Sequence, residues 1–288
     1  MTGWGPLATP VHVHGPFAGD AAWRENAFLS FFDDERGVCG AIHCSVSPNA
    51  PGRARASVVV DGRLAEVIEP LDELAFRGAA VELDLSGHVI VRHERVALDL
   101  TATPRFVPAD YTRLELIPPL PGHDPLTHFQ QGADVTGWVE IDGVRRDITA
   151  RGFRDRTWGF RDESAMFVEY LALGACFETF DLTLTKFLDE TGQTQVGGYR
   201  LADQAEQVVR AEITRSAAGL LAVLDVDFES PAPLTLRAGP SVGFWAPMGV
   251  ERRGPALAAY EECVVLDGGG KVGRGTAVIE HGIVRRLF

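Results

Sequence analysis

Long apolar runs are missing from this 288-residue chain. No stretch approaches the roughly 18 apolar residues of a membrane span. The opening Met1-Thr-Gly-Trp-Gly-Pro also lacks a basic region leading into an apolar one. A cytoplasmic protein without stable membrane insertion is expected. Positive charge is short too: 27 Lys and Arg against 40 Asp and Glu give a formal charge of −13. Neutralising phosphates needs a basic face, so nucleic acid is not an expected partner.

Cysteine is scarce. The four residues, Cys39, Cys44, Cys176 and Cys263, form an even set, but without a secretory signal they are expected as free, buried thiols. Cys39 and Cys44 flank His43, yet no second Cys or His pair at finger-like spacing completes four zinc ligands. His12-Val-His14 would put two imidazoles on one side of a strand, and no residue obliges a third ligand. Cofactor signatures are missing as well. Gly268-Gly-Gly270 reads as a turn between strands, not a phosphate-cradling loop, and Gly-x-Ser-x-Gly and His-Glu-x-x-His do not occur. No aspartate-rich helix of the kind that binds magnesium pyrophosphate is present either. Neither a metal nor an organic cofactor is expected.

What the chain does have is strand pattern. Hydrophobic residues make up 45%, enough to fill a core. Apolar and polar residues alternate in 56–60, 89–100, 138–148, 180–187, 220–228 and 260–266. Asp61-Gly62, Asp142-Gly143 and Asp267-Gly268 sit between such runs, and Asp-Gly supplies the positive φ angles of a tight hairpin. Helical pattern is confined to Pro70–Phe76 and Leu201–Ala205. The fold class is therefore all-β, built from antiparallel meanders. Four prolines in Leu116–Pro125 interrupt regular pairing and predict a linker. It would divide the chain into an N-terminal β domain (1–115), a Pro-rich connection (116–127) and a C-terminal β domain (128–288). Each half has strands enough for a curled sheet or barrel that could hold a ligand.

Residues 151–162 place four arginines, two aspartates, three aromatics and two glycines in twelve positions. Charges set among Phe153, Trp158 and Phe160 must be paired or hydrogen-bonded if they are buried. Asp155 is the candidate acid. In an extended segment Phe153, Asp155 and Thr157 share one face and Arg154, Arg156 and Trp158 the other, unless a bend at Gly159 brings Trp158 round. Arg154, Arg156 and Arg161 are suited to tying Asp162, Glu163 or acids of the first half in ion pairs. Glu169 and Tyr170 are adjacent on an apolar strand, so one of them at most points into any given cavity. Either is a candidate second acid or base; a rim charge and a core tyrosine are the alternatives. Glu25 follows Trp23, and His128 precedes Phe129. His128 reads as a base or as a pin for the linker. Phe244-Trp245 and Tyr260-Glu-Glu262 could close a pocket or pack a barrel end, and Glu280 is expected to pair with an arginine.

Several segments together resemble one family. They are Trp23-Arg-Glu25 with Phe31-Phe-Asp33, His128-Phe-Gln-Gln131, Gly137–Gly143, Arg154–Asp162 and Gly275–Glu280. The chain is similar over most of its length to the carotenoid hydratase (hydroxyneurosporene synthase) and AttH-like superfamily. Many members carry Arg-Asp-His-Ser-Trp-Gly, where this chain has Arg156 at the histidine. The resemblance implies two tandem lipocalin-like antiparallel β-barrels. It further implies hydratases and cyclases of prenyl chains, kievitone hydratase and polyketide Diels-Alderases as functional relatives. The expected function is then cofactor-independent hydration or cyclisation of an apolar isoprenoid or terpenoid, begun by carbon protonation from Asp155. Glu169 or Tyr170 would assist. Trp158, Phe153, Phe160, Trp23, Glu25, His128 and Trp245 would line the substrate site, with an aromatic face steadying the cation. A non-catalytic carrier of a hydrophobic ligand and a Diels-Alderase-like pericyclase are the alternatives.

Overall fold

The computed structural model describes residues 3–11, 23–48, 50–72, 74–114, 116–117, 119–120, 122–160, 168–249 and 254–287. The chain divides into two compact units, Met1–Asp162 and Glu163–Phe288.

In the first unit the strands are β1 (Trp23–Asp33), β2 (Val38–Ser47), β3 (Ala50–Val60), β4 (Arg63–Pro70), β5 (Val81–Leu83), β6 (His88–Arg92), β7 (Val96–Pro104), β8 (Ala109–Asp110), β9 (Thr127–Ile141) and β10 (Val144–Phe160). They form one curled sheet in the order β4-β3-β2-β1-β10-β9-β7-β6-β5, with β8 paired to β9. Its remaining seam is stitched by a side chain. The Glu69 carboxylate at the end of β4 accepts the Ala80 N–H at 3.0 Å and the Val81 N–H at 2.7 Å.

The second unit is a closed barrel of β11 (Glu169–Cys176), β12 (Asp181–Leu188), β13 (Thr194–Leu201), β14 (Ala205–Arg215), β15 (Leu221–Phe228), β16 (Leu234–Gly249), β17 (Gly254–Asp267) and β18 (Arg274–Leu287). The strands follow chain order, and β18 returns to β11. Together these are tandem lipocalin-like β units. Period-two alternation sends one side of each strand inward. In the first unit the inward set includes Leu29, Phe31, Val58, Leu98 and Val135; in the second it includes Leu171, Leu184, Leu236 and Ile279.

Three sequence expectations are corrected. The Pro-rich segment does not separate the units, because β9 and β10 lie after it and pair with β7 and β1 at the centre of the first sheet. The division falls at 162/163 instead of 116–127. Neither helical candidate is a helix. Around Pro70–Phe76 the backbone bonds run across the chain, Leu71 N–H to Gly52 and Asp72 N–H to Arg77, and Leu74 has φ +50°. Leu201–Ala205 is the turn from β13 to β14, and among the described residues the two helical turns are 3-10 pieces at Gly5–Ala8 and Tyr111–Leu114. Third, two of the three Asp-Gly pairs make two-residue turns, with φ 51° and 77° at Asp61-Gly62 and 50° and 78° at Asp142-Gly143. After Asp267 the positive angles fall at Gly269, Gly270 and Gly273, in a longer connection.

All four cysteines are buried and outside any disulfide. Cys44 lies in the core, where burial, and behind it the Glu69 charge, pushes its thiol up to about 12. Cys39 is an odd number of residues away on the same strand and faces the other side. His12, His14, Arg161, Asp162 and Glu163 lie outside the described residues.

Candidate acid–base site

The arginine-rich block forms the second half of β10, a strand bonded to β1 on one edge and β9 on the other. It is extended through Trp158, so the alternation applies without interruption. Counting outward from the Asp142-Gly143 turn, Asp155 lies opposite Gln130 and Thr157 opposite His128. All four side chains share the face turned away from the first unit's core. There Asp155 Oδ2 meets His128 Nε2 at 2.5 Å and accepts a hydrogen bond from Gln130 Nε2 at 3.2 Å.

The 3-10 turn Tyr111–Leu114 holds the imidazole. Asp110 accepts the Thr112 N–H at 3.1 Å, Thr112 Oγ1 accepts the His128 N–H at 3.0 Å, and the Tyr111 ring stacks on the imidazole at 4.8 Å. Side-chain exposures of 16% for His128 and 20% for Asp155 leave the pair shielded but reachable. A carboxylate and an imidazole in hydrogen-bond contact are residue types that serve as general acid and base, and either can pass a proton to or from a bound molecule. Phe153 lies on the same face, two residues along.

Opposite Asp155, on the core side of β10, is a second and distinct constellation. Arg156 is fully buried and ion-paired with the equally buried Glu25. Its guanidinium also donates to Asn26 O at 2.9 Å and Thr9 O at 3.1 Å, between the rings of Phe76 at 5.0 Å and Trp158 at 5.4 Å. Burial lowers the pKa of Arg156 and the Glu25 carboxylate opposes that shift. Arg154 donates to Leu85 O at 2.9 Å and lies over the Trp4 ring at 4.3 Å. Burial first, and then the Arg156 charge, bring its pKa down to about 10.

Trp158 and Glu25 therefore do not share a face with Asp155. Trp158 flanks a guanidinium instead, because no bend at Gly159 turns the indole round. Trp23 is buried opposite Phe160 in the β1–β10 register, and Phe160 stacks on His123 at 3.9 Å.

In the barrel of the second unit Glu169 and Tyr170 diverge as alternation requires. Glu169 pairs with Arg215, whose Nη1 lies 3.3 Å from His281 Nδ1, while His281 Nε2 is 2.8 Å from Glu262. Tyr170 Oη bonds Glu280, which among the described residues takes a phenol and not the arginine expected of it. The Tyr170 ring lies across Gly282, where a Cβ would come within 1.8 Å of it. Gly282→Ala is expected to cost about 1–3 kcal/mol through that overlap, read as a lower thermal midpoint; an unchanged midpoint would mean that the ring has room to move. Trp245 is 61% exposed and leans on Tyr260 at 5.4 Å.

Tyr111, Arg215 and His281 went unmarked in the sequence, and Gln130 stood in the His128–Gln131 segment without a role of its own. For Gln130 a signal existed: the Asp142-Gly143 turn sets the pairing of β9 with β10. For Arg215 and His281 none did, since their strands join their neighbours through bulged or longer connections.

These features define a two-unit lipocalin-like β protein with an aspartate–histidine pair on its first sheet. By sequence the chain belongs to the DUF7064 family, described as a domain of unknown function, which it matches over residues 11–221. No curated protein sequence matches the chain. Solved structures share its fold. CghA with Sch210972 superposes with a TM-score of 0.63 at 12% identity, covering 91% of this chain and 88% of that one. A putative AttH from Nitrosomonas europaea gives 0.57 at 12%, covering 93% and 98%. Kievitone hydratase from Nectria haematococca gives 0.54 at 10%, covering 91% and 89%. The fold is thus that of AttH-like proteins and kievitone hydratase.

Proposed function

We propose that the protein is a cofactor-independent acid–base enzyme that hydrates or cyclises an apolar alkene of isoprenoid type, with Asp155 and His128 as its proton-handling pair. The observation that carries this reading is the 2.5 Å contact between Asp155 Oδ2 and His128 Nε2, held in place by Gln130 and Tyr111. The resemblance to carotenoid hydratases and the fold shared with kievitone hydratase and CghA support it.

The steps balance. The pair gives its proton to one alkene carbon, and the second carbon becomes a cation. Water or an internal double bond then attacks that carbon. The proton released from the adduct returns to the pair. Phe153, on the Asp155 face, supplies a ring for the cation, worth about 0.5–2 kcal/mol. Arg156, which stands where many members of the resembling superfamily carry histidine, faces the core, on the other side of β10 from His128.

Incubation of linear polyenes, terpenoids and prenylated phenols in deuterated water tests the proposal by mass spectrometry. Deuterium at carbon in the wild-type product supports it, and an added mass of water separates hydration from cyclisation. Conversion without carbon-bound deuterium and with a flat pH profile would instead indicate a pericyclase. Retention of ligand without conversion would indicate a carrier.

A further inference from the structure

We propose that the interior of the first β unit is a separate binding site for a compact hydroxycarboxylate, held by Arg154, Arg156 and Gln131 on the core side of β9 and β10. The site lies on the opposite face of β10 from Asp155 and does not rest on the acid–base reading.

Three buried polar side chains there have unmet capacity among the described residues. Arg154 is 2% exposed, makes its hydrogen bond through Nη1, and leaves Nη2 buried with no partner. Arg156, with both Nη atoms engaged, leaves Nε buried with no partner. Gln131, directly opposite Arg154 in the β9–β10 register, donates Nε2 to Phe106 O at 2.6 Å and leaves Oε1 buried with no partner. The amide orientation is set by that carbonyl, so Oε1 is the acceptor left over.

Charge points the same way. Arg154 and Arg156 are neighbours on one face, and the Arg156 guanidinium disfavours the charge of Arg154. Glu25 neutralises one of them. Among the described residues the acid whose field favours the Arg154 charge is Asp84, an exposed residue. Among the described residues one cation is left in a low-dielectric interior without an ion-pair partner, and buried charges are normally paired. A single negative charge completes the balance; a phosphate dianion would overshoot it.

Two acceptor oxygens suit Arg154 Nη2 and Arg156 Nε, and a hydroxyl beside them would donate to Gln131 Oε1. Trp4, Phe76 and Phe129 provide apolar walls, and Ala27, Ala133 and Ala150 keep the neighbouring core positions small. The chemistry is that of an aryl or alkyl hydroxy acid.

Mandelate is the probe, with benzyl alcohol as the uncharged control, titrated into the full chain by calorimetry and by tryptophan fluorescence, for which Trp4 over Arg154 is the reporter. Mandelate is expected to bind, and benzyl alcohol not. Arg154→Met should weaken binding at least about tenfold yet leave the thermal midpoint unchanged or higher, since an apolar side chain removes the uncompensated cation. Arg154→Lys, which keeps the charge but loses the guanidinium fork, should also weaken it and serves if the methionine variant does not fold. Asp155→Asn should bind mandelate as wild type does, whatever its turnover. No binding to wild type at about 10 mM, where a site with a Kd of about 1 mM is filled, would overturn the proposal. So would affinity unchanged in the Arg154 variants, or a methionine variant that folds but is strongly destabilised.

Discussion

Asp155→Asn is expected to lower turnover by about 10²–10⁴-fold, the usual contribution of a positioned general acid or base. Asparagine keeps the size of the side chain and an oxygen to face His128 Nε2. It cannot carry the proton, so the first transfer to carbon and the final recovery both fail. Folding should be little affected, because the carboxylate stands on a partly exposed face and its strand is held by β1 and β9 on either side. His128→Gln should lose a similar factor. The double variant should be hardly worse than either single one, because the two groups act as a unit and their effects do not add. Single-turnover rates in deuterated and ordinary water, with thermal unfolding as the control, check the set. Wild-type rates in Asp155→Asn would remove this pair from the chemistry.

Glu25→Gln is expected to cost about 3–5 kcal/mol of stability, because it leaves the Arg156 guanidinium buried without its counter-charge. Both side chains have 0% exposure, so water cannot solvate the orphaned cation in place. The corresponding fall in thermal midpoint is roughly 6–20 °C for a unit of this size. From the sequence, Glu25 is expected in the lining of the substrate site beside Trp23, and that role is separable from a structural one. A structural pair predicts that Glu25→Leu combined with Arg156→Met restores most of the lost stability, since an apolar replacement of similar volume is often neutral or stabilising. Chemical and thermal unfolding of the single and double variants measure this. A stable Glu25→Gln protein would show that the pair contributes little to the fold.

How much of this was legible in advance depends on how far apart the interacting residues are in sequence. The hairpins at Asp61-Gly62 and Asp142-Gly143 were legible because a two-residue turn needs positive φ at both positions and both dipeptides tolerate it. The second of them, followed outward along its strands, also pairs Asp155 with Gln130 and Thr157 with His128. The aspartate–histidine contact was therefore implicit in the chain, across 27 residues of separation. The Pro-rich segment was misleading for a physical reason. Proline stops local pairing, but nothing local says whether the strands beyond it start a new unit or return to the old one. Here β9 and β10 return, inserting between β7 and β1.

The amino-acid sequence alone determined the all-β class, the inward and outward sides of each strand, two of the tight turns and the chemical density of residues 151–162, because each depends on neighbours a few positions apart. Tertiary structure alone decided which strands are adjacent. It thereby decided that Arg156 meets Glu25 from 131 residues away, that Tyr170 meets Glu280 across the closure of the barrel, and that Trp158 stands with the arginines. A period of two says that a side chain faces one way or the other. Only long-range pairing says what waits on that side.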